Sequence, residues 1–482
     1  MGVSQAIEAK TFSELDRKLI KQSWMLIQGW ACLIILLLLV GGGSLLVPIF
    51  PLSTLLLGIY LYLKVPHLYV GFVWFICFVC PLIRRIIDQQ SGYVTPGRWG
   101  LTAMLVACIS CITLFRNLPK INRYGGFPFL LSFIAIAYSF SIGVALDKLD
   151  SAYVVGLLEW LGPVAFSFHL FLNWREYPIN QRVIKAIFVY GVLIMGVYGI
   201  FQFCTAPAWD RFYLGNIEVA SFGKPYPFQI RVFSTQSSPQ GFASVMMAGL
   251  LLMFGSQSNL KFVNFGVGYL SFLLSSARSA WLGWIAGIMI FFPFIKAKYQ
   301  MQFIATFLVL IALLTPLTQI EPFSETIEQR FESFSNVEDD TSLNERTEGY
   351  GEALSLAFSE ILGRGLGDPG PSTSLGSADS GILPIMFSFG WFGAVPYMGG
   401  LLLLMFQLLQ NTSGGQDLFA SASRAIFIGM FSQIPLNNIY PDIFGMVMWG
   451  FLGIGLAANK YGLSSRAAAQ RSQQSKIVAD AL

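Results

Sequence analysis

The sequence predicts an all-α integral membrane protein, a polytopic helical bundle of about 12–14 transmembrane helices with one large outer-face loop. Three observations carry that prediction. Of the 482 residues, 55% are hydrophobic and 12% charged, and the mean hydropathy is +0.62; a soluble domain carries about 25% charged residues. Apolar runs of about 20 residues recur along almost the whole chain, the length a helix needs to cross a bilayer, whereas barrel strands alternate and run only about ten. The polar residues gather between those runs and in two loops, 206–235 and 320–378.

Residues 1–23 are polar and mixed in charge, with Lys10, Arg17, Lys18 and Lys21, and hold no short apolar core before a small-residue cleavage site. They read as a cytoplasmic N-terminal segment and not as a cleaved signal peptide. Residues 24–458 read as one transmembrane domain. Its apolar spans lie near 24–41, 43–63, 67–83, 99–117, 125–146, 152–173, 183–205, 236–255, 260–275, 278–297, 300–319, 379–409, 418–435 and 440–458. Residues 459–482 carry Lys460, Arg466, Arg471 and Lys476 and turn rich in Ala, Gln and Ser from about Ser464, so a disordered cytoplasmic tail is expected. The basic residues put both termini inside by the positive-inside bias, with the linkers 118–124, 174–182 and 295–300, and leave both polar loops outside. Arg84, Arg85 and Arg98 then fall on the outer side, against the bias. Either these arginines serve a function, or the Gly41-Gly42-Gly43 region conceals a re-entrant span.

The two loops differ in character. Loop 206–235 is aromatic and basic, with Trp209, Arg211, Tyr213, Lys224, Tyr226 and Arg231; loop 320–378 is acidic. In the second, Ser324 is placed to cap a short helix with Ile327, Phe331 and Phe334 on one stripe. Ser342 and Glu345 have capping-box spacing, opening a helix that carries Arg346, Glu348 and Tyr350 and ends at Gly363-Arg-Gly-Leu-Gly367.

Several function classes are excluded. Lys and Arg are scattered at segment ends, so no nucleic-acid footprint exists. The six cysteines all lie in apolar spans; Cys77/Cys80 and Cys108/Cys111 repeat a metal-ligand spacing, but with no His or carboxylate beside them they read as buried structural thiols, and no metal site or other cofactor is expected.

Three arginines stand out by context. Arg278 is the one charged residue between Lys261 and Lys296, and after Arg231 no charge recurs until Lys261. A guanidinium in the middle of a bilayer costs roughly 2.5–3.5 kcal/mol on insertion scales and is never relieved by deprotonation. With Arg346 on the acidic loop, all three reach the outer face in the topology above. Each alone could snorkel to lipid phosphate. Three on one face, beside an aromatic loop, point to a shared anionic ligand, because guanidinium forks grip phosphate oxygens bidentately.

Taken in order, RVFSTQSSPQGFA, SSARSAWLG, ERTEGYGEAL…ILGRGLGD and ADSGILPIMFSFGWFG resemble the O-antigen ligase and polymerase superfamily of bacterial envelopes, over roughly residues 120–455. The resemblance implies a metal-independent, inverting glycosyltransferase in the bacterial inner membrane, its active site facing the periplasm or exterior. Its donor would be a glycan on polyprenyl diphosphate, met at the outer leaflet of the lipid bilayer, and a chain-length regulator is a possible partner. Arg231 and Arg278 match the arginines that hold the diphosphate, and Arg346 matches the outer-loop arginine that positions donor or acceptor. Gln240 stands where the family has an Asn. Asp379-Ser380 replaces the ligase's His-Asn, and of the two histidines His67 and His169 both read as structural. Asp379 is therefore the first candidate base and Glu348 the second, with a helix cap as the alternative role for Asp379. Ser276 beside Arg278, together with Arg211, Lys224, Trp209, Tyr213 and Tyr350, are the expected substrate-binding groups. Without the histidine, polymerase is expected over ligase, and a flippase of the same lipid-linked glycan is the rival from another class.

Overall fold

The computed structural model describes residues 14–93, 101–148, 151–217, 220–255, 260–294, 353–368, 380–410 and 417–480, with isolated positions at 351 and between 297 and 308. Among them the chain is helical, its one β contact an isolated bridge between Gly223 and Ile230. The helices are α1 Glu14–Leu39, α2 Gly43–Lys64, α3 Pro66–Ser91, α4 Leu101–Cys108, α5 Cys111–Asn117, α6 Phe127–Ala145, α7 Ser151–Leu172, α8 Tyr177–Thr205, α9 Ala208–Asn216, α10 Pro239–Phe254, α11 Lys261–Leu274, α12 Arg278–Phe291, α13 Ile382–Gln410, α14 Leu418–Phe431 and α15 Asp442–Asp480. Nine spans among the described residues are long and apolar enough to cross a membrane. This is a multi-pass all-α membrane protein.

α6 packs antiparallel on α13, α12 on α14 and α2 on α3, whereas α7 runs parallel to α15 and α8 parallel to α11. α15 runs through the middle, while α1 is packed on one side only and bares Leu33, Ile35, Leu36 and Leu39. An apolar helix that leaves such side chains uncovered faces lipid rather than water. The core is aromatic. Trp74 on α3 meets Phe166, Phe188 and Phe451 from three other helices, with centroids 5.0–6.0 Å away, and Trp160 stacks on Tyr440 at 5.5 Å. Offset and edge-on rings of this kind add to what their buried area contributes.

Hydrogen bonds fix which helix ends share a face. At one end Gln90 donates to Leu38 O, Lys148 pairs with Asp368 at 2.5 Å, Arg231 reaches Ser276, and Gly381 N donates to Ile434 O. At the opposite end Lys460 donates to Tyr124 O and Tyr177 to Asp417. Loop 206–235 therefore shares its end with the C-terminus of α3, the α11–α12 junction and the start of α15.

Two helices break where their sequence requires it. In α13, Gly390 has φ 57° and ψ −172°, which releases backbone carbonyls inside the bundle. The 363–365 segment takes them up: Arg364 N donates to Phe387 O at 2.7 Å and Gly365 N to Ser388 O, which also accepts from Ser139 Oγ at 2.6 Å. Irregular backbone at membrane depth is tolerated only where protein satisfies it in this way. The span expected at 99–117 is found as one candidate crossing, Thr102–Lys120, with a tight turn at Ile109–Ser110 dividing α4 from α5.

Two expectations need correcting. α3 does not stop near residue 83 but continues through Arg84, Arg85 and Asp88 to Ser91. The Ala- and Gln-rich tail is not irregular; α15 continues through it to Asp480, since Ala, Gln, Lys and Arg are strong helix formers that extend a helix already nucleated in the core.

Candidate functional site: two charged clusters at one end of the bundle

Loop 206–235 is folded onto the bundle by a buried network. Arg85 is 1% exposed and its partner Asp210 is 0%. Arg85 Nε lies 3.0 Å from Asp210 Oδ1, Nη1 donates to Gln236 O at 2.6 Å, Nη2 donates to Ser234 O, and the guanidinium covers the Phe233 ring at 4.6 Å. The other Asp210 oxygen accepts from Tyr198 Oη and Gln202 Nε2, both at 2.8 Å. Desolvating this pair costs several kcal/mol per ion, and the arrangement offsets it by giving each charge further partners. Of the arginines that broke the positive-inside bias, Arg85 is thus tied to loop 206–235, Arg84 pairs with Asp88 on its own helix and Arg98 lies outside the described residues; α1 and α2 are each long and apolar enough to cross a membrane.

Trp209 and Tyr213 belong to the same scaffold. Trp209 Nε1 donates to Tyr198 Oη at 2.6 Å, and Tyr213 Oη donates to Ser237 O at 2.8 Å, with burial raising the Tyr213 phenol above its ordinary range. Arg211, Lys224 and Tyr226 are exposed on the loop.

Arg231 and Arg278 are brought together. The Arg231 guanidinium donates to Ser275 O at 3.1 Å, Ser221 O at 2.7 Å and Ser276 O at 3.0 Å, which fixes its plane. Val232 N adds a bond to Leu274 O at 3.1 Å. Arg278 opens α12 two residues beyond Ser276, which is buried and held at φ 52°. The cluster therefore consists of two guanidinium groups beside the N-terminus of a fourteen-residue helix, whose positive dipole end also favours anions.

α11 has 14 residues and starts at Lys261, so it rises about 21 Å, short of a hydrocarbon core about 30 Å thick. With Lys261 at one interface, the break at 275–277 falls below the opposite one. A charge and irregular backbone at that depth must be satisfied by protein or water, and the Arg231 bonds to Ser275 O and Ser276 O do so here.

Gln240 is half-buried in the first turn of α10, after Ser238, whose Oγ accepts from Gly241 N at 3.0 Å, and Pro239. Ser380 Oγ accepts from Ile382 N at 3.1 Å at the start of α13. Arg346, Glu348, Tyr350 and Asp379 lie outside the described residues, as does the Ser324 helix. His169 is buried, with Nδ1 2.7 Å from Thr113 Oγ1, in keeping with a structural role.

Sequence reading missed the second cluster. A cavity of about 150 Å³ opens between α3, α4, α7, α9 and α15, lined by Arg84, Arg85, Glu159, Tyr213, Gln236 and Asp442, with Cys77 and Cys80 at its wall. Arg84 pairs with Asp88 at 3.1 Å, yet its Nη2 is buried with no hydrogen-bond partner among the described residues. No group of three or more metal-ligating side chains occurs among the described residues.

No protein-family model matches this sequence, and no curated protein matches it.

Proposed function

We propose that this protein polymerises lipid-linked repeat units of a bacterial surface polysaccharide, transferring a glycan from polyprenyl diphosphate to a sugar hydroxyl at the outer face of the inner membrane. One observation carries the proposal: Arg231, its guanidinium plane fixed by three carbonyls, sits beside Arg278 at the N-terminus of α12. Such a group suits an anion with several oxygens on a leaving group. Guanidinium and helix-terminal N–H groups stabilise the charge that develops on a departing diphosphate, and removing one such donor typically costs 10²–10³-fold in rate. The resemblance of SSARSAWLG and RVFSTQSSPQGFA to the O-antigen ligase and polymerase superfamily points the same way.

The transfer itself needs no metal. The acceptor oxygen attacks the anomeric carbon as the bond to the diphosphate breaks, with inversion, and the electron pair leaves on polyprenyl diphosphate. The test is reconstitution of the purified protein with a lipid-diphosphate repeat unit. A ladder of products from the donor alone, lost in Arg231→Ala and Arg278→Ala proteins that keep wild-type helicity, is the expected result. A single transfer to a second lipid class would mean ligase. Movement of labelled lipid between leaflets with no new glycosidic bond would overturn the enzyme and leave a flippase.

A further inference from the structure

Glu159 and Asp442 are each isolated charges in apolar sequence. Glu159 is the only charged residue between Asp150 and Arg175, and Asp442 the only one between Arg424 and Lys460. The fold brings them from α7 and α15 to one cavity, where they interact electrostatically. Both residues are half-buried; the Asp442 carboxylate accepts from the Ile443 backbone N–H, and among the described residues neither carboxylate has an ion pair, unlike Arg85 of the same cavity, which pairs with Asp210. Carboxyl oxygens facing such a cavity are open to the donors of a ligand, since a carboxylate drawn out of water is stabilised by hydrogen bonds. Arg84 Nη2, buried and unpartnered at the same cavity, presents an N–H that needs an acceptor.

The groups that face a ligand are thus two carboxyls and one unpartnered guanidinium N–H, with the Tyr213 ring and Gln236 alongside. A ligand that carries hydroxyl donors and ether or hydroxyl acceptors on a compact ring meets all of it. A volume of about 150 Å³ is the space of roughly five waters, well below the ~300 Å³ at which drug-sized pockets begin. It admits one sugar ring and not an oligosaccharide. The cavity is also joined to the arginine pair through a short segment: Arg231 holds the α11–α12 junction, and Gln236 and Ser237, five and six residues on, line the cavity. Five residues span at most about 18 Å, and the turn closed by Gln236 N on Phe233 O shortens that.

We infer that the cavity is the subsite for the terminal sugar of the acceptor glycan, and that the Glu159–Asp442 pair takes the proton of its attacking hydroxyl; the inference rests on the transferase reading above. As the new C–O bond forms and the bond to diphosphate breaks, the hydroxyl O–H bond breaks and its proton passes to the carboxylate of the pair. That proton returns to solvent after the elongated glycan leaves. The pair supplies the base that the missing histidine would have supplied, with no demand on Asp379 or Glu348.

Two measurements on the full-length protein in lipid nanodiscs test this. In the reconstituted reaction, Glu159→Gln and Asp442→Asn should each slow polymer growth about 10²-fold or more, the usual scale of general-base catalysis, with the KM for lipid-diphosphate donor unchanged. Independently of activity, alkylation of Cys77 and Cys80 by N-ethylmaleimide, followed by mass spectrometry, should slow when a panel of hexoses and N-acetylhexosamines includes a sugar that fits. That protection should vanish in the Glu159→Gln/Asp442→Asn double variant. Wild-type polymerisation by both single variants would overturn the base while leaving the polymerase intact. Failure of every sugar to protect either cysteine would overturn the subsite whether or not the protein polymerises. Protection without any polymerisation by the wild-type protein would overturn the transfer step together with the functional reading on which it rests.

Discussion

Asp210 shows how a single buried acid holds loop 206–235 in place. Its carboxylate takes Arg85 on one oxygen and Tyr198 and Gln202 on the other, at no solvent exposure. Removing one member of a buried ion pair strands the other charge, at a cost of about 3–5 kcal/mol, whereas replacing both by apolar residues is often neutral. Asp210→Ala is therefore expected to lower the thermal unfolding midpoint strongly in detergent, and adding Arg85→Met should recover part of the loss. If the double variant is no more stable than the single one, the stranded charge is not the cause. Residue by residue, the sequence made Arg231 and Arg278 visible because each is an isolated charge in an apolar run. Glu159 and Asp442 satisfy the same criterion and are as legible. What the sequence could not supply is that residues 283 positions apart line one cavity, since nothing local to α7 or α15 encodes their meeting. Trp209 and Tyr213 were legible as a loop's aromatics but not as scaffold, because their partners Tyr198 and Ser237 lie on other elements.

For the helices, apolar runs located the spans well because burial in lipid or in the core demands them, and boundaries failed where polar residues are satisfied inside protein. Arg84, Arg85 and Asp88 look like the end of a span, yet their mutual and long-range pairing lets α3 continue to Ser91. The kink in α13 was hidden for a related reason: Gly390 is one glycine among several in that helix, and only the 363–365 segment packed against it makes it a break. A Cβ at Gly390 would collide with Gly363 N and Ile361 O at a φ that side chains rarely adopt, whereas a Cβ at Gly399 on the same helix meets nothing within 4 Å. Gly390→Ala should accordingly collapse the yield of folded protein, while Gly399→Ala should be neutral or slightly stabilising, by up to about 1 kcal/mol of helix propensity. Yield and melting midpoint by size-exclusion fluorescence compare the two directly. Equal behaviour would mean that the kink is not required by the backbone contact at Gly363.

On the scale of the molecule, the pairing of helix ends makes sidedness a single decision, since fixing one loop fixes all others. Gln90 on Leu38, Lys148 on Asp368 and Arg231 on Ser276 belong to one end, Lys460 on Tyr124 and Tyr177 on Asp417 to the other. The second end also gathers Lys64, Arg116, Lys120, Arg123, Arg175, Arg182 and Arg466, the distribution that the positive-inside bias places in the cytoplasm. The basic residues of the first end include Arg85, Arg231 and Arg364, and each has protein partners, so they do not weigh as free anchors. The bias thus predicts that both charged clusters open toward the exterior, where the proposed reaction would meet an outer-leaflet lipid. Lys224, exposed on the aromatic loop, and Arg466, exposed on the last helix, report the two ends. In intact cells a membrane-impermeant maleimide should label Lys224→Cys above the wild-type background and leave Arg466→Cys unlabelled until the membrane is permeabilised. The reverse pattern would turn the molecule over and remove both clusters from the outer leaflet, and equal labelling of the two would contradict their placement at opposite ends of the bundle.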